Sequence, residues 1–278
     1  MTLTITLILL ALASSGVAYY FGFYAHGLGL KWYAFVTTAL GIPVGYFFWL
    51  IVIALILFIA SLFINKKKEV KKPGKFANFL VYEVVHQIDL LSNAKLHKTG
   101  LRQVPNGPCL IVYNHTSKFD PIYIMDKMHR KHIICVTKPE NMRIPLAGSF
   151  IHKAGFIPVN RDDDAEGMKA ILKSIDYIKK GYGSIAISPE GTRSKTRKLL
   201  PFRAGVFNIA KRAEVPIVIV GFKNTWKIAE DYPFKVTHVD MDILDVLDYD
   251  SFKDLTTGEI SSIVRKYYID YLGEKEGE

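Results

Sequence analysis

The heptapeptide Asn114-His115-Thr116-Ser117-Lys118-Phe119-Asp120 sets an imidazole and a carboxylate either side of four residues, directly after an apolar run at 109–113. Four residues in a turn can bring the two groups into contact. A carboxylate on one ring nitrogen fixes the tautomer and stabilises the imidazolium. The other nitrogen is then free to take a proton from a hydroxyl. Pro121 follows Asp120, a pairing that suits a helix N-cap and first helical residue. His115 is therefore expected in a strand-to-helix loop, where catalytic groups often lie. Spacing alone leaves a plainer reading open, with Asp120 only a cap and His115 only a loop histidine.

Three further blocks follow. Gly155-Phe156-Ile157-Pro158-Val159-Asn160-Arg161 ends an apolar run on a guanidinium just before Asp162-Asp163-Asp164. Arg161 suits a phosphate, whose oxygens match its fork of donors, and equally suits those aspartates. Ser188-Pro189-Glu190-Gly191-Thr192-Arg193 succeeds another apolar run and leads into Lys195, Arg197 and Lys198. Gly191 permits a tight turn and close approach to a ligand. The cations around Arg193 make a basic loop at a strand end, which fits a phosphate site at the edge of an α/β sheet and also a solvated surface turn. Val215-Pro216-Ile217-Val218-Ile219-Val220 reads by itself as a buried strand with Pro at its start.

Short apolar runs at 109–113, 132–136, 184–188 and 217–221 suit buried strands, and residues 235–246 suit a late one. Helical spacing marks residues 76–91 and 165–179, the latter through Met168, Ile171, Leu172, Ile175 and Ile178 and ending at Gly181. Strands alternating with helices imply an α/β fold with a mixed sheet flanked by helices.

Ahead of this domain the chain changes character. Residues 1–65 contain one lysine, Lys31, and no Asp, Glu or Arg. Residues 3–23 are almost wholly apolar and long enough to span a bilayer; a signal peptide would want a positive n-region, and none is present. A second apolar stretch covers 32–64, clearest over 45–64, with Gly41 and Pro43 as expected break points. Trp32, Tyr33, Tyr46, Phe47, Phe48 and Trp49 suit interfacial positions. A two-span hairpin and one span with a re-entrant or interfacial helix both fit. The organisation expected is thus a membrane region at 1–65, a basic linker at 66–75 and a catalytic domain at 76–278.

The stretch from Lys66 to Lys75 holds six lysines and one glutamate, half of the net charge of +10. A basic run just after an apolar span reads as a cytoplasmic anchor attracted to anionic lipid, placing the domain on the cytoplasmic face of a membrane. It lacks interleaved aromatics and a second basic stripe, which argues against nucleic acid as a partner. Cys109 and Cys135 lie in apolar runs without metal-like spacing and are expected as buried thiols. No metal site is expected.

Taken together and in this order, the four blocks resemble the glycerolipid acyltransferase family, which includes the 1-acylglycerol-3-phosphate acyltransferases. The family's first motif is Asn-His, four residues, then Asp, here Asn114, His115 and Asp120. Its second is an apolar run ending in Arg, here residues 155–161. Its third is Phe-Pro-Glu-Gly-Thr-Arg, here Ser188 to Arg193, with Ser188 where the family usually has Phe. Its fourth is an apolar block around Pro, here residues 215–220. The resemblance spans about residues 98–221, taking in Gly100-Leu101, Pro105 to Pro108 and Pro201-Phe202-Arg203-Ala204-Gly205.

The resemblance implies acyl transfer from an acyl thioester, acyl-CoA or acyl carrier protein, to the sn-2 hydroxyl of 1-acylglycerol-3-phosphate (lysophosphatidic acid), giving phosphatidic acid without a further cofactor. It makes His115 the general base and Asp120 its orienting partner. Arg161 and Arg193 hold the acceptor phosphate, with Glu190, Gly191 and Thr192 shaping that site. Pro216 and Ile217 lie in the acyl-chain region, and the Asn114 amide is a candidate for the oxyanion. Glycerol-3-phosphate or another lysophospholipid as acceptor, and a non-catalytic lipid-binding protein of the same fold, are the alternatives.

Overall fold

The computed structural model describes residues 2–26, 32–160 and 163–274, with side chains described outside residues 2 and 21–38. It divides into two units, 1–65 and 66–278.

The first unit is a helical hairpin. Helix α1 (Thr2–His26) and helix α2 (Trp32–Leu62) pack against each other. Both are long and apolar enough to cross a membrane, by length and composition. Gly41 and Pro43 do not break α2, which runs through them. A Cβ on Gly45 would sit 2.8 Å from Ser14 Oγ, and one on Gly41 3.1 Å from Ser15 Oγ. Glycines four apart share a helix face, so they bring the α2 backbone close to the small residues of α1. Continuous helix through proline is tolerated in apolar segments of this kind. Tyr46, Phe47, Phe48 and Trp49 fall in the middle of α2 rather than at an end.

The second unit is an α/β sandwich. Helix α3 (Lys75–Leu91) leads into strand β1 (Ala94–Thr99), followed by β2 (Leu110–Tyr113), α4 (Phe119–Lys127), β3 (Ile133–Thr137), α5 (Ala147–Lys153) and β4 (Ile157–Pro158). Then come α6 (Asp164–Lys179), β5 (Ser184–Ile187), α7 (Asn208–Ala213), β6 (Ile217–Lys223), α8 (Ile228–Asp231), β7 (Thr237–Leu247) and α9 (Thr257–Leu272). The seven strands form one mixed sheet in the order β1-β7-β6-β2-β5-β3-β4. Every pair is parallel except β6 with β7.

The central strands are apolar on both faces, as strands covered on both sides must be. Leu110, Ile111, Val112, Ile185, Ile217, Val218 and Ile219 are fully buried. Helix α6 is capped by Asp163, whose carboxylate accepts from the backbone N–H groups of Ala165 and Glu166. Thr256 and Glu259 close a capping box on α9, and Gly273 ends that helix in the left-handed region. The basic stretch belongs to the second unit by its contacts: Tyr177 donates to Val70 O, and Gly74 N–H to Lys153 O. Cys109 and Cys135 are free and buried, and burial pushes the Cys135 thiol up to about 12.

Candidate active site

Strand β2 delivers His115 past its last residue, and the first turn of α4 delivers Asp120. The imidazole Nδ1 lies 2.9 Å from Asp120 Oδ2. The same oxygen accepts the backbone N–H groups of Thr116 at 2.9 Å and Ser117 at 2.8 Å. Asp120 is fully buried and His115 nearly so. Asp120 is not the N-cap expected of it. It sits inside α4, whose cap position is Lys118, and folds its carboxylate back over the preceding loop. Three donors on one oxygen explain that choice, since they hold a buried charge that a cap position would leave in water. A ring whose Nδ1 faces a carboxylate carries its proton there. His115 Nε2 makes no hydrogen bond among the described residues.

Asn114 has a different task from the one expected. Its Nδ2 donates to Phe222 O at 3.0 Å, and its Oδ1 accepts from Phe222 N–H at 2.7 Å. The amide is spent on β6 and its residue is 2% exposed, so it is not placed to meet an oxyanion.

Glu190 is likewise not a phosphate ligand. It is buried beyond the end of β5, with Oε1 accepting His115 N–H at 2.6 Å and Oε2 accepting Leu200 N–H at 3.0 Å. A buried carboxylate holding two N–H groups is a clasp between loops, and it would repel a phosphate. Burial pushes its carboxyl up to about 7, against the pull of the Leu200 and His115 bonds towards the anion. Ser194 N–H donates to His115 O at 2.8 Å and closes the same joint from the other side.

Gly191 next to it has φ +72°, and a Cβ there would lie 2.9 Å from Arg203 Nε. The left-handed backbone therefore favours glycine, and the Arg203 side chain packs close against it. Thr192 and Arg193 are exposed, as are Lys195, Arg197 and Lys198. Arg197 pairs with Glu230 at 3.1 Å and stacks 3.3 Å above the Trp226 ring. Arg161 lies outside the described residues.

Ile217 is fully buried within the sheet, and the Pro216 carbonyl accepts Leu110 N–H. Pro216 is half-buried, and neither residue lines the apolar cavity where an acyl chain would fit. An apolar cavity of about 380 Å³ lies elsewhere, walled by Val136, Val159, Met168, Ile171, Ile187, Ser188, Gly191, Arg203 and Ile209, with others. Ser188 Oγ is buried without a hydrogen-bond partner. The clasp by Glu190, the wall position of Arg203 and the contact of Thr116 Oγ1 with Thr225 Oγ1 at 3.1 Å were not foreseen. Only the block from Pro201 to Gly205 carried a signal near one of them.

Among the described residues, His86, Asp89 and Asp126 have the spacing to hold a metal ion. The Lys127 ammonium already occupies their midst, 2.5 Å from Asp89 Oδ2 and 2.7 Å from Asp126 Oδ2.

Residues 95–223 match the family model described as Acyltransferase. The chain is similar to the chloroplastic 1-acyl-sn-glycerol-3-phosphate acyltransferase of Brassica napus, 31% identical over 55% of this chain and 44% of that one. It is also similar to the Saccharomyces cerevisiae 1-acyl-sn-glycerol-3-phosphate acyltransferase, 27% identical over 68% of this chain and 63% of that one. The chain thus spans about half the length of these curated relatives. The crystal structure of the 1-acyl-sn-glycerophosphate acyltransferase of Thermotoga maritima shares the fold, with a TM-score of 0.56 at 19% identity, covering 82% of this chain and 99% of that one.

Proposed function

We propose, from the match of residues 95–223 to the acyltransferase family model, that the chain transfers a fatty acyl group from an acyl thioester to the sn-2 hydroxyl of 1-acylglycerol-3-phosphate, giving phosphatidic acid. The observation that carries the reading is the buried His115–Asp120 pair at 2.9 Å with Nε2 unengaged. The names of the similar proteins support the acceptor.

In the proposed reaction His115 Nε2 takes the proton of the acceptor hydroxyl as its oxygen attacks the thioester carbonyl. Asp120 stabilises the imidazolium that forms. The C–O bond forms and the C–S bond breaks. The leaving thiolate takes the proton back from His115, so no acyl-enzyme intervenes. Arg193, exposed in the loop after β5, meets the acceptor phosphate, as does Arg161. The apolar cavity behind Gly191 takes the acyl chain, its volume being in the range of small-molecule sites. The donor is acyl-CoA or acyl carrier protein, and the reaction uses no further cofactor. The two apolar helices anchor the protein in the membrane, and the lysines of residues 66–75 keep the catalytic domain on the cytoplasmic face.

The test is acyl transfer by the purified chain in detergent or bilayers. Each donor class is offered with 1-acylglycerol-3-phosphate, glycerol-3-phosphate and larger lysophospholipids. Phosphatidic acid made by wild type and not by His115→Ala is expected. Product on another acceptor alone would overturn the acceptor. Absence of product from every pairing would favour a lipid-binding protein without catalysis.

A further inference from the structure

The most exposed large apolar side chain of the second unit, among the described residues, is Phe234 at 97%. It stands between the exposed side chains of Tyr232 and Val236, in the segment that enters β7. Leu90 and Leu91, at the end of α3, are exposed as well. The two segments are fastened together. Asn93, held at φ +51°, donates through Nδ2 to Pro233 O at 3.1 Å and Lys235 O at 3.2 Å, and its own carbonyl accepts Thr237 N–H at 3.1 Å. A soluble protein scatters exposed apolar groups singly; a fastened cluster of them marks a contact surface.

Sheet register says where this cluster lies. Strand β7 is antiparallel to β6, with Asp240 opposite Lys223 at the end of β6, so residues 232–236 lie beyond the C-terminal end of β6. Ala94 pairs with Thr237, which brings the end of α3 to the same edge. Strands β2 and β5 run parallel to β6 and end there too, and beyond them lie His115 and Glu190. The apolar cluster and the candidate active site therefore share one edge of the sheet.

We infer that residues 232–236 and the end of α3 insert into the headgroup region of an anionic bilayer, setting the site-bearing edge of the sheet against the lipid. The occupant follows from what surrounds the cluster. Lys235 stands beside Phe234, exposed and in loose contact with Asp231 at 3.4 Å. Five lysines lie between α2 and α3 and a sixth begins α3, soon after two helices of membrane-crossing length. Apolar tips among lysines match the boundary between acyl chains and anionic headgroups. A second protein chain would instead call for matching acidic groups. The inference stands on exposure and register and needs no particular reaction. If the proposed reaction holds, the acceptor lipid reaches His115 without leaving the membrane surface.

The test uses the full chain in nanodiscs of phosphatidylcholine and phosphatidylglycerol. A polarity-sensitive fluorophore is placed on Phe234→Cys, on Leu91→Cys or, for reference, on Asp250→Cys, which follows the far end of β7 at the opposite edge. Both native thiols are buried and remain unlabelled. The expected result is a blue shift at 234 and 91 and loss of their emission to spin-labelled lipid, with emission at 250 retained. Emission at 234 and 91 that resists the spin-labelled lipid, or quenching at all three positions alike, overturns the inference. A blue shift without lipid quenching, together with cross-linked dimers, assigns the surface to a second copy and overturns it as well. None of these readouts depends on turnover, so a failure of the proposed reaction is told apart from a failure here.

Discussion

Helix α4 carries a histidine–aspartate pair at each end. At its start His115 meets Asp120 at 2.9 Å, and at its finish His86 of α3 meets Asp126 at 2.8 Å. The contact lengths hardly differ; the surroundings do. Asp120 is fully buried and its bonded oxygen is filled by the imidazole and two backbone N–H groups, and no lysine or arginine among the described residues forms an ion pair with it. Asp126 shares its charge with Lys127, which also holds Asp89. Burial raises the Asp126 carboxyl, but the bonds from Lys127 and His86 outweigh it and hold it below its ordinary value. The second pair is an ion network fastening α3 to α4. The first leaves one ring nitrogen unengaged beside a basic loop. A His–Asp distance therefore says little about chemistry until the remaining partners are counted.

The sharpest way to break that contrast is to remove each imidazole. His115→Ala is expected to lower acyl transfer by about 10²–10⁴-fold while the protein keeps its cooperative unfolding. His86→Ala leaves kcat/KM unchanged. Equal losses in the two variants would erase the distinction.

Asp120→Asn comes next. The amide oxygen can keep all three donors, but the neutral group no longer stabilises an imidazolium, and its NH2 replaces an oxygen buried without a partner, so transfer falls steeply. Stability falls too, by about 1.5–3 kcal/mol for charged hydrogen bonds lost. Denaturant unfolding together with turnover reads both effects.

The clasp that braces the first pair gives a pH signature. Glu190 has an ordinary pKa of 4.5, raised to about 7 in the folded protein. A raised carboxyl favours folding below pH 4.5, and that contribution is lost as pH rises through 7. Wild type should therefore lose stability relative to Glu190→Gln between these pH values, by on the order of 3 kcal/mol. A difference that stays flat with pH would remove the buried carboxyl from the account.

The smallest effect is expected at the other end of α4. Asp126→Asn costs about 1–2 kcal/mol near neutrality and leaves turnover intact. Because the Asp126 carboxyl is held below 3.8, its contribution is present above that pH and fades as pH falls through the lowered value.

Legibility followed the range of the interaction. The strands at 110–113, 184–187 and 217–223 and the helix at 164–179 announce themselves through local apolar patterns and caps. Helix α9 has Thr256 and Glu259 at capping-box spacing and Ile260, Val264 and Tyr268 at helical spacing, so its signal is local as well. Strand β4 has two residues and no period to read. In the site, His115 and Asp120 are near in sequence, and their contact follows from the loop. The Glu190 clasp joins positions 75 apart and the Asn114 pairing positions 108 apart. Neither leaves a trace in local spacing, so a phosphate role for Glu190 and an oxyanion role for Asn114 were natural and mistaken expectations. Gly41 and Pro43 misled in the opposite direction: the missing side chain of Gly41 serves close helix contact in an apolar setting, and a proline such as Pro43 is tolerated inside an apolar helix.

The pairing of Asn114 with Phe222 has a kinetic consequence. The side-chain amide offers one donor and one acceptor to the same residue, as a peptide group does in a ladder, and so adds a rung beyond the last residue of β2. Hydrogen exchange at the Phe222 amide should then run at the rate of the sheet's global opening, although surface loops normally exchange by local fraying. The residue before His115 is thus tied to the sheet rather than to the loop that follows it.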